Sequence, residues 1–358
     1  MTSTAAPVAS VGVTICIPSF NRADLIRETL DSILAQTSPH WEALIVDDGS
    51  TDDSLDVIAE YSKRDARVRM LKRDRLPKGA CTCRNIAVEN ARKNCVMFLD
   101  TDDILAPFCV QQRLEAIEKE KAADFVIFPM LLFQTDVSKA SHFWNVENGQ
   151  DDLLRVLRLD PICQGTGTLW RADSFKRLGG WNEDLKIWQD IELHVRAFTA
   201  NLRFMKRFDL SPDVYLRESV GSLSRGDYQS RDKLESRASV VRLALGSVRR
   251  AGKPEMIREI RFLCSSVIFG AATAGHLDIA SELRSWAARE GVLTGDEISR
   301  LRFAEFTRSS RFDHFAPVRR IRDALMRVFV IEPTLGKVAF TSVVHQTRPG
   351  SVTALNPS

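Results

Sequence analysis

Two textures of apolar and polar positions alternate along the first 130 residues. Short apolar runs, many of them β-branched, fall at Val11–Ile17, Ala43–Val46, Val68–Leu71, Val96–Leu99 and Phe125–Phe128. Between them, "RADLIRETLDSILAQ" places Leu25, Ile26, Thr29, Leu30, Ile33 and Leu34 on one helical face. "SLDVIAEYS", "RNIAVENAR" and "FCVQQRLEAIEKE" repeat that spacing. Strands apolar on both sides that alternate with helices predict an α/β fold with a mainly parallel, Rossmann-like sheet flanked by helices.

The pattern loosens from about Gln134 to Pro212. "WNVENGQDD" reads as loop, "DDLLRVLRL" as a short helix, and "QGTGTLWRADSFKRLGGW" as a stretch rich in turn residues, its "QGTGT" a flexible loop. "DIELHVRAFTA" predicts a helix with an acidic first turn, which suits the helix dipole. Beyond Gln229 the chain turns to Arg-rich helical patterns at Lys233–Ala251, Glu255–Ala274, Asp278–Arg289 and Pro317–Val330. Residues 229–358 thus predict a C-terminal helical appendage to a first domain at 1–228, with the last ten or so residues disordered.

Composition changes little in this picture. The chain is 44% hydrophobic and 27% charged, as ordinary globular proteins are, and its net charge of +3 gives no case for nucleic acid. Seven scattered cysteines, several inside apolar runs, predict a reduced, cytosolic protein. The N-terminus has no basic region or cleavage pattern, and "FVIFPMLLF" is about half the roughly 20 residues of a membrane-spanning helix, so no membrane crossing is expected. In the tail, Val318, Ile321, Leu325 and Phe329 form an apolar stripe beside Arg319, Arg320, Arg322 and Arg327. That pattern fits a helix packed on the main domain, or a peripheral contact with an anionic membrane.

Chemistry concentrates where the strands end. In a parallel sheet, ligands bind beyond the carboxyl ends of the strands, where the strand order reverses. "PSFNR" follows the first strand, "DDGSTDD" the second, "KGACTCRN" lies beyond the third, and the fourth runs into "DTDD". Hydroxyls, carboxylates, Arg84 and Lys78 at one edge suit a ligand carrying hydroxyls and phosphates. In "VMFLDTDDIL", Asp100, Asp102 and Asp103 fall within four positions. Two carboxylates about 5 Å apart repel by roughly 3 kcal/mol at an effective dielectric near 20. Such a cluster is wetted, partly protonated or held by a cation, for which hard oxygen donors favour Mg²⁺ or Mn²⁺. Alternatively, Asp102 and Asp103 cap the helix that starts near Pro107.

Taken in order, "VTICIPSFNRADLIRETLDSILAQT", "WEALIVDDGSTDDS", "GACTCRNIAVENA" and "VMFLDTDDIL" resemble the nucleotide-sugar half of a family 2 glycosyltransferase of the GT-A fold. "GGWNEDLKIWQDIELHVRA" resembles the acceptor-side segment of the same family. The resemblance spans roughly residues 11–225, and it implies a nucleotide-sugar half at about 11–130 and an acceptor half at 131–228.

It implies an inverting transfer of sugar from a nucleotide-sugar donor, UDP-linked, to a glycan or lipid-linked glycan acceptor, with Mn²⁺ or Mg²⁺ as cofactor. Pro18 and Asn21 would line the nucleotide pocket, Asp48 would bind the uracil edge, and Asp47 would order the loop. Gly79 and Arg84 match the segment near base or diphosphate. Asp100 and Asp102 would face ribose and sugar, and Asp102 or Asp103 would bind the metal. Asp190 falls at the catalytic base, although by itself it also reads as a helix N-cap. Trp181, Glu183 and Trp188 are acceptor-side candidates; the tryptophans suit the core equally, and Glu183 with Asp184 suits a turn. His194 reads as a packing residue.

The chain departs from the family pattern twice, with Gln189 where Glu usually precedes the base and Ser219 where a His is frequent. These leave a non-catalytic nucleotide-sugar-binding module as an alternative. A phosphatase reading of "FLDTDD" fits less well, since that motif continues Gly-Thr and follows a chain's first strand.

Overall fold

The computed structural model describes residues 10–140, 142–218, 228–309, 315–317 and 320. Apart from Pro317 and Arg320, the helix expected at Pro317–Val330 lies outside that set, as do its apolar stripe, Ser219 and the chain's last residues.

The strand–helix alternation forms as the pattern requires: β1 (Ser10–Ser19), α1 (Ile26–Leu34), β2 (Trp41–Asp47), α2 (Ser54–Arg64), β3 (Val68–Lys72), α3 (Ala80–Glu89) and β4 (Lys93–Phe98). A short β5 (Ile104–Leu105), α4 (Cys109–Lys119), β6 (Phe125–Ile127), β7 (Leu131–Phe133), β8 (His142–Phe143) and α5 (Asp152–Leu157) come next. Then follow β9 (Thr168–Arg171), α6 (Ala172–Leu178), α7 (Gln189–Thr199), β10 (Phe204–Lys206) and β11 (Val214–Arg217). The C-terminal region holds α8 (Arg231–Arg250), α9 (Ile257–Thr273), α10 (Leu277–Arg289) and α11 (Gly295–Ser309).

The main sheet has seven strands in the order β10-β6-β9-β4-β1-β2-β3. β1 pairs in parallel with β2 on one side and β4 on the other, so the strand order reverses beside the end of β1. β9 is the exception, antiparallel to both β4 and β6. Its four residues, "TLWR", sit in a stretch that the sequence shows as turn-rich, and only pairing on both sides makes them a strand. A second sheet, β5-β11-β7-β8, begins with the strand that directly follows "DTDD".

Each face of the main sheet carries its own core. Val13, Ile15 and Ile17 of β1 pack with Ile26 and Leu30 of α1, Ile58 of α2 and Val110 of α4. On the other face, Cys16, Leu44 and Phe98 meet Cys83 and Ile86 of α3, Phe175 of α6 and Leu193 of α7. All seven cysteines are free and buried as small hydrophobes, six of them in these two cores and Cys264 among the C-terminal helices.

The helical region is more than an appendage. Leu153 and Val156 of α5, and Ile191 and Val195 of α7, share one apolar cluster with Leu234 and Val241 of α8 and Ile260 and Val267 of α9. The boundary drawn at residue 229 therefore runs alongside a continuous core. The sequence pattern also left α11 unmarked; Thr294 and Glu297 start it, each side chain bonding the other's backbone N–H (3.3 and 2.8 Å).

One buried ion pair ties α4 to the site. Arg113 and Asp213 are both fully buried, with Nε–Oδ2 at 2.9 Å and Nη2–Oδ1 at 2.7 Å. Arg113 Nη1 also donates to the Thr166 carbonyl at 2.9 Å. Removing one partner strands a charge in the core, so Asp213→Ala is expected to cost about 3–5 kcal/mol. Arg113→Met combined with Asp213→Leu should cost clearly less; urea unfolding of the two variants checks the ordering.

Candidate active site

The site is built at the carboxyl ends of β1, β2 and β4. At the first of these, Asn21 stands at φ 51 and joins two loops: its N–H donates to Ser50 Oγ (3.0 Å), and its Oδ1 accepts from the Thr51 N–H (2.8 Å). Pro18 is half-buried and pairs in register with Val46. Asp47 accepts from the N–H groups of Gly49 and Ser50, at 2.9 and 3.1 Å, and so orders the β2 loop. Ser19 Oγ is buried and has no partner among the described residues.

Asp48 is nearly buried beside an arginine that the motifs did not single out. Arg73 Nε donates to Asp48 Oδ1 at 2.5 Å, and the Gly79 N–H approaches the same oxygen at 3.4 Å. Lys78 Nζ lies 3.5 Å from the centre of the Phe20 ring, at the mouth of the same end. Arg73 Nη1 holds the Arg75 carbonyl at 2.5 Å. Arg75 in turn donates to Glu183 Oε1 at 2.8 Å and Glu89 Oε1 at 2.7 Å.

That network accounts for Glu183. Asn85 Nδ2 also donates to Glu183 Oε1 at 2.9 Å. Burial works against its charge, but Arg75 and Asn85 outweigh it and hold the carboxyl below its usual range. Glu183 is thus a clasp between the nucleotide end and the "GGWNED" segment. Asn85 further accepts the Trp181 N–H at 2.9 Å. A Cβ on Gly180, at φ +68, would sit 2.7 Å from Asn85 Oδ1, which explains the glycine.

Trp181 is a core residue. It is 2% exposed, edge-on to Phe98 at 5.0 Å, with the Arg84 guanidinium 4.9 Å from its ring. It presents no open face to a sugar. Trp188 is half-buried against the helical core, its Nε1–H donating to Tyr228 Oη at 3.2 Å. Gln189 donates to the Leu185 carbonyl at 3.2 Å, a loop-holding bond in the place of the family's usual Glu.

The acids divide into three environments. Asp100 is open, with 43% of its side chain exposed, and accepts from Arg84 Nη2 at 2.6 Å. Asp102 is half-buried; burial raises its pKa, Asp100 adds to the rise and Arg22 opposes it. Asp103 is 5% exposed, and its Oδ1 accepts the Arg217 N–H at 3.1 Å, tethering β11. Burial, then Asp102 and Asp100, push the Asp103 carboxyl well above its usual value. Asp103 is thereby placed as an anchor, because its oxygen already holds a backbone amide.

Among the described residues no group of three or more His, Cys, Asp or Glu side chains could hold a metal. The donor set still fits a hard divalent cation of the kind that keeps several ligands outside the protein. Asp100 is an open carboxylate paired with Arg84 alone, and its charge raises the proton affinity of the half-buried Asp102.

Asp190 enters from α7. Its Oδ1 accepts the Gly165 N–H at 2.6 Å, and Arg84 acts on it electrostatically. Burial raises its pKa, while Arg84 and the Gly165 N–H pull it back. "QGTGT", expected to be flexible, is a buried 3₁₀ turn at Gly165–Gly167 held by Arg113. A Cβ at Gly165 would meet Trp181 at 3.1 Å and Asp190 Oδ1 at 3.3 Å. His194, one turn along α7, is fully buried with Nδ1 2.7 Å from the Asp190 carbonyl. Burial lowers its pKa to about 4, so the ring is neutral and packs as a core residue.

Arg84 is the hinge of this arrangement. Burial works to lower its pKa, yet Asp100 wins and holds the guanidinium firmly charged. Its Nε is buried with no partner among the described residues. A buried cation with one unused donor, flanked by an open and a half-buried carboxylate, is suited to an anionic ligand.

Residues 14–179 match the profile of Glycosyl transferase family 2. A putative teichuronic acid biosynthesis glycosyltransferase of Bacillus subtilis, TuaG, is 38% identical over 111 residues, 31% of this chain and 44% of the relative. EpsJ, an uncharacterized glycosyltransferase of the same organism, is 33% identical over 225 residues, 61% of this chain and 64% of the relative. The chain thus spans less than two thirds of the length of these relatives.

Among solved structures, residues 1–349 of S. aureus TarS in complex with UDP superpose with a TM-score of 0.58 at 17% identity, covering 83% of this chain and 91% of that one. A mannosyltransferase of Pyrobaculum calidifontis in complex with GDP-Man and Mn²⁺ gives 0.50 at 17% identity, covering 92% and 87%. Residues 14–179 thus resemble glycosyl transferase family 2, and the chain has the GT-A fold of these solved glycosyltransferases.

Proposed function

We propose that the chain is an inverting glycosyltransferase that moves a sugar from a UDP-linked donor to a hydroxyl of a glycan or lipid-linked glycan. One observation carries the reading: Arg84 bonds Asp100 at the end of β4 and acts electrostatically on Asp190 at the start of α7, so one guanidinium links two acid sites ninety residues apart.

Asp190 takes the proton of the acceptor hydroxyl as that oxygen attacks the anomeric carbon. The nucleoside diphosphate leaves from the opposite face, so configuration inverts and no protein nucleophile is needed. Asp100 and Asp102 would hold a divalent cation, which when bound neutralises the charge that builds on the departing diphosphate. Asp48, with Arg73 beside it, offers a base an acceptor flanked by a donor. Uracil, with its N–H between two carbonyls, is complementary to that pair, whereas cytosine has a lone pair at that position. Relatives named for teichuronic acid and poly(ribitol-phosphate) glucosylation support an acceptor from cell-wall or related glycans.

Thermal unfolding against a panel of nucleotide-sugars, with Mn²⁺ present, tests this directly. UDP-sugars should raise the unfolding midpoint most, and Asp48→Ala should remove the difference between UDP and CDP. Equal responses to all nucleotides would overturn the donor assignment. Binding without transfer to any glycan acceptor would favour a nucleotide-sugar-binding module.

A further inference from the structure

The groups that place Asp190 extend beyond the family-matched segment. Asp190 is the second residue of α7, and the residues before that helix are held from α8. Ser236 of α8 is 5% exposed. Its Oγ accepts the N–H groups of Lys186 and Ile187, at 2.9 and 3.2 Å, and donates to the Ile187 carbonyl at 3.1 Å. A hydroxyl has one proton and two lone pairs, so these three bonds use its full capacity.

The next residue explains why such a clamp is present. Trp188 stands at φ 62, a left-handed conformation that costs a bulky residue on the order of 1–3 kcal/mol and persists only where its surroundings fix it. Ser236 fixes the chain on one side. On the other, the Trp188 indole donates to Tyr228 Oη, and the Arg237 guanidinium lies 5.8 Å from the indole ring. Arg237 is itself anchored, with Nη2 donating to the Tyr228 carbonyl at 2.8 Å. The Trp188 carbonyl accepts the Glu192 N–H at 3.1 Å, so this turn sets where α7 begins. It therefore sets where the Asp190 carboxylate meets the Gly165 amide and Arg84.

We propose that Ser236 is a positioning residue for glycosyl transfer, clamping the 186–188 turn so that α7 presents Asp190 to the acceptor. The C-terminal helical region is then part of the catalytic apparatus, acting on the base through backbone and never touching the substrate. The inference rests on Asp190 being the base. A packing role alone would need only the volume of the Cβ, which alanine keeps.

The test compares Ser236→Ala and Ser236→Thr in the full chain, using UDP, Mn²⁺ and the UDP-sugar that stabilises the wild type most. In Ser236→Ala, kcat should fall about 10–100-fold while donor KM and the UDP Kd stay within about two-fold, the split expected of a displaced base. Ser236→Thr should recover most of kcat. Hydrogen exchange at the Gly165 amide, protected through Asp190, should speed up about ten-fold in Ser236→Ala.

The proposal is overturned if kcat is unchanged, if it falls only in step with UDP affinity, or if Gly165 exchange matches the wild type. Should the wild type transfer no sugar, the activity reading fails and Gly165 exchange alone decides whether Ser236 places Asp190. If Ser236→Ala does not fold, Ser236→Cys carries the same expectations.

Discussion

Asp190→Asn should lower kcat for sugar transfer by roughly 10³-fold, the scale of a lost general base, and leave UDP affinity nearly unchanged. That loss corresponds to about 4 kcal/mol of transition-state stabilisation. The replacement isolates proton transfer because asparagine keeps an Oδ1 for the Gly165 N–H but cannot accept a proton at that pH. The Asp48 and Asp100 sites are untouched, so binding should persist. Initial rates with UDP release as the readout, beside UDP titrations, check both halves; full retained activity would end the assignment of Asp190 as base.

The same carboxyl predicts a pH dependence with a defined sign. Burial raises its pKa against the opposing pull of Arg84 and the Gly165 N–H. A base must be ionised to act, so the rate should climb as pH rises through a value higher than that of a free Asp carboxyl. Stability runs the other way. The folded chain binds this proton more tightly than the unfolded chain, so the carboxyl favours folding at low pH, and that contribution is lost as pH rises through its raised value. Asp190→Asn should therefore unfold no more easily than wild type at neutral pH, and it should lose the acid limb of the rate profile.

The parallel half of the fold was legible because the apolar runs of β1, β2 and β4 are buried on both faces, and such runs cannot satisfy their surface any other way. The loops at strand ends were legible for the same reason, since polar clusters that follow apolar strands mark the sheet's carboxyl edge. What was hidden depends on contacts distant in sequence. Arg73 stands one residue past β3 in an unremarkable "KRDR", and only the close approach of β2 and β3 puts it against Asp48. Trp181 looked suited to a sugar, but Phe98, Phe175 and Arg84 surround it. β9 exists only because two neighbours pair with it. For α11 a local signal was present, the Thr294–Glu297 capping box ahead of Ile298, Leu301 and Ala304. The role of Ser236 had no sequence signal, because a serine within an amphipathic helix is ordinary until its partners are known.

The second large effect separates the two acids that the motif left interchangeable. Asp102→Asn should reduce the gain in UDP affinity conferred by Mn²⁺ on the order of 100-fold, at least the loss seen when outer-shell partners of a metal are removed. Without Mn²⁺, wild type and variant should bind UDP alike. Asp103→Asn should behave differently. Its Oδ1 can still accept the Arg217 N–H that holds β11, and removing a buried, proton-hungry carboxylate relieves repulsion with Asp102. Mn²⁺-dependent binding should then stay within a few-fold of wild type, while Asp103→Ala, which leaves that amide unsatisfied, should cost about 1–3 kcal/mol of stability. Isothermal titration with and without Mn²⁺, and urea unfolding of each variant, give the comparison. If Asp103→Asn abolished the Mn²⁺ effect and Asp102→Asn spared it, the metal would have to sit on the tethered acid. Its ligand would then be Oδ2 of Asp103, because Oδ1 holds the Arg217 N–H.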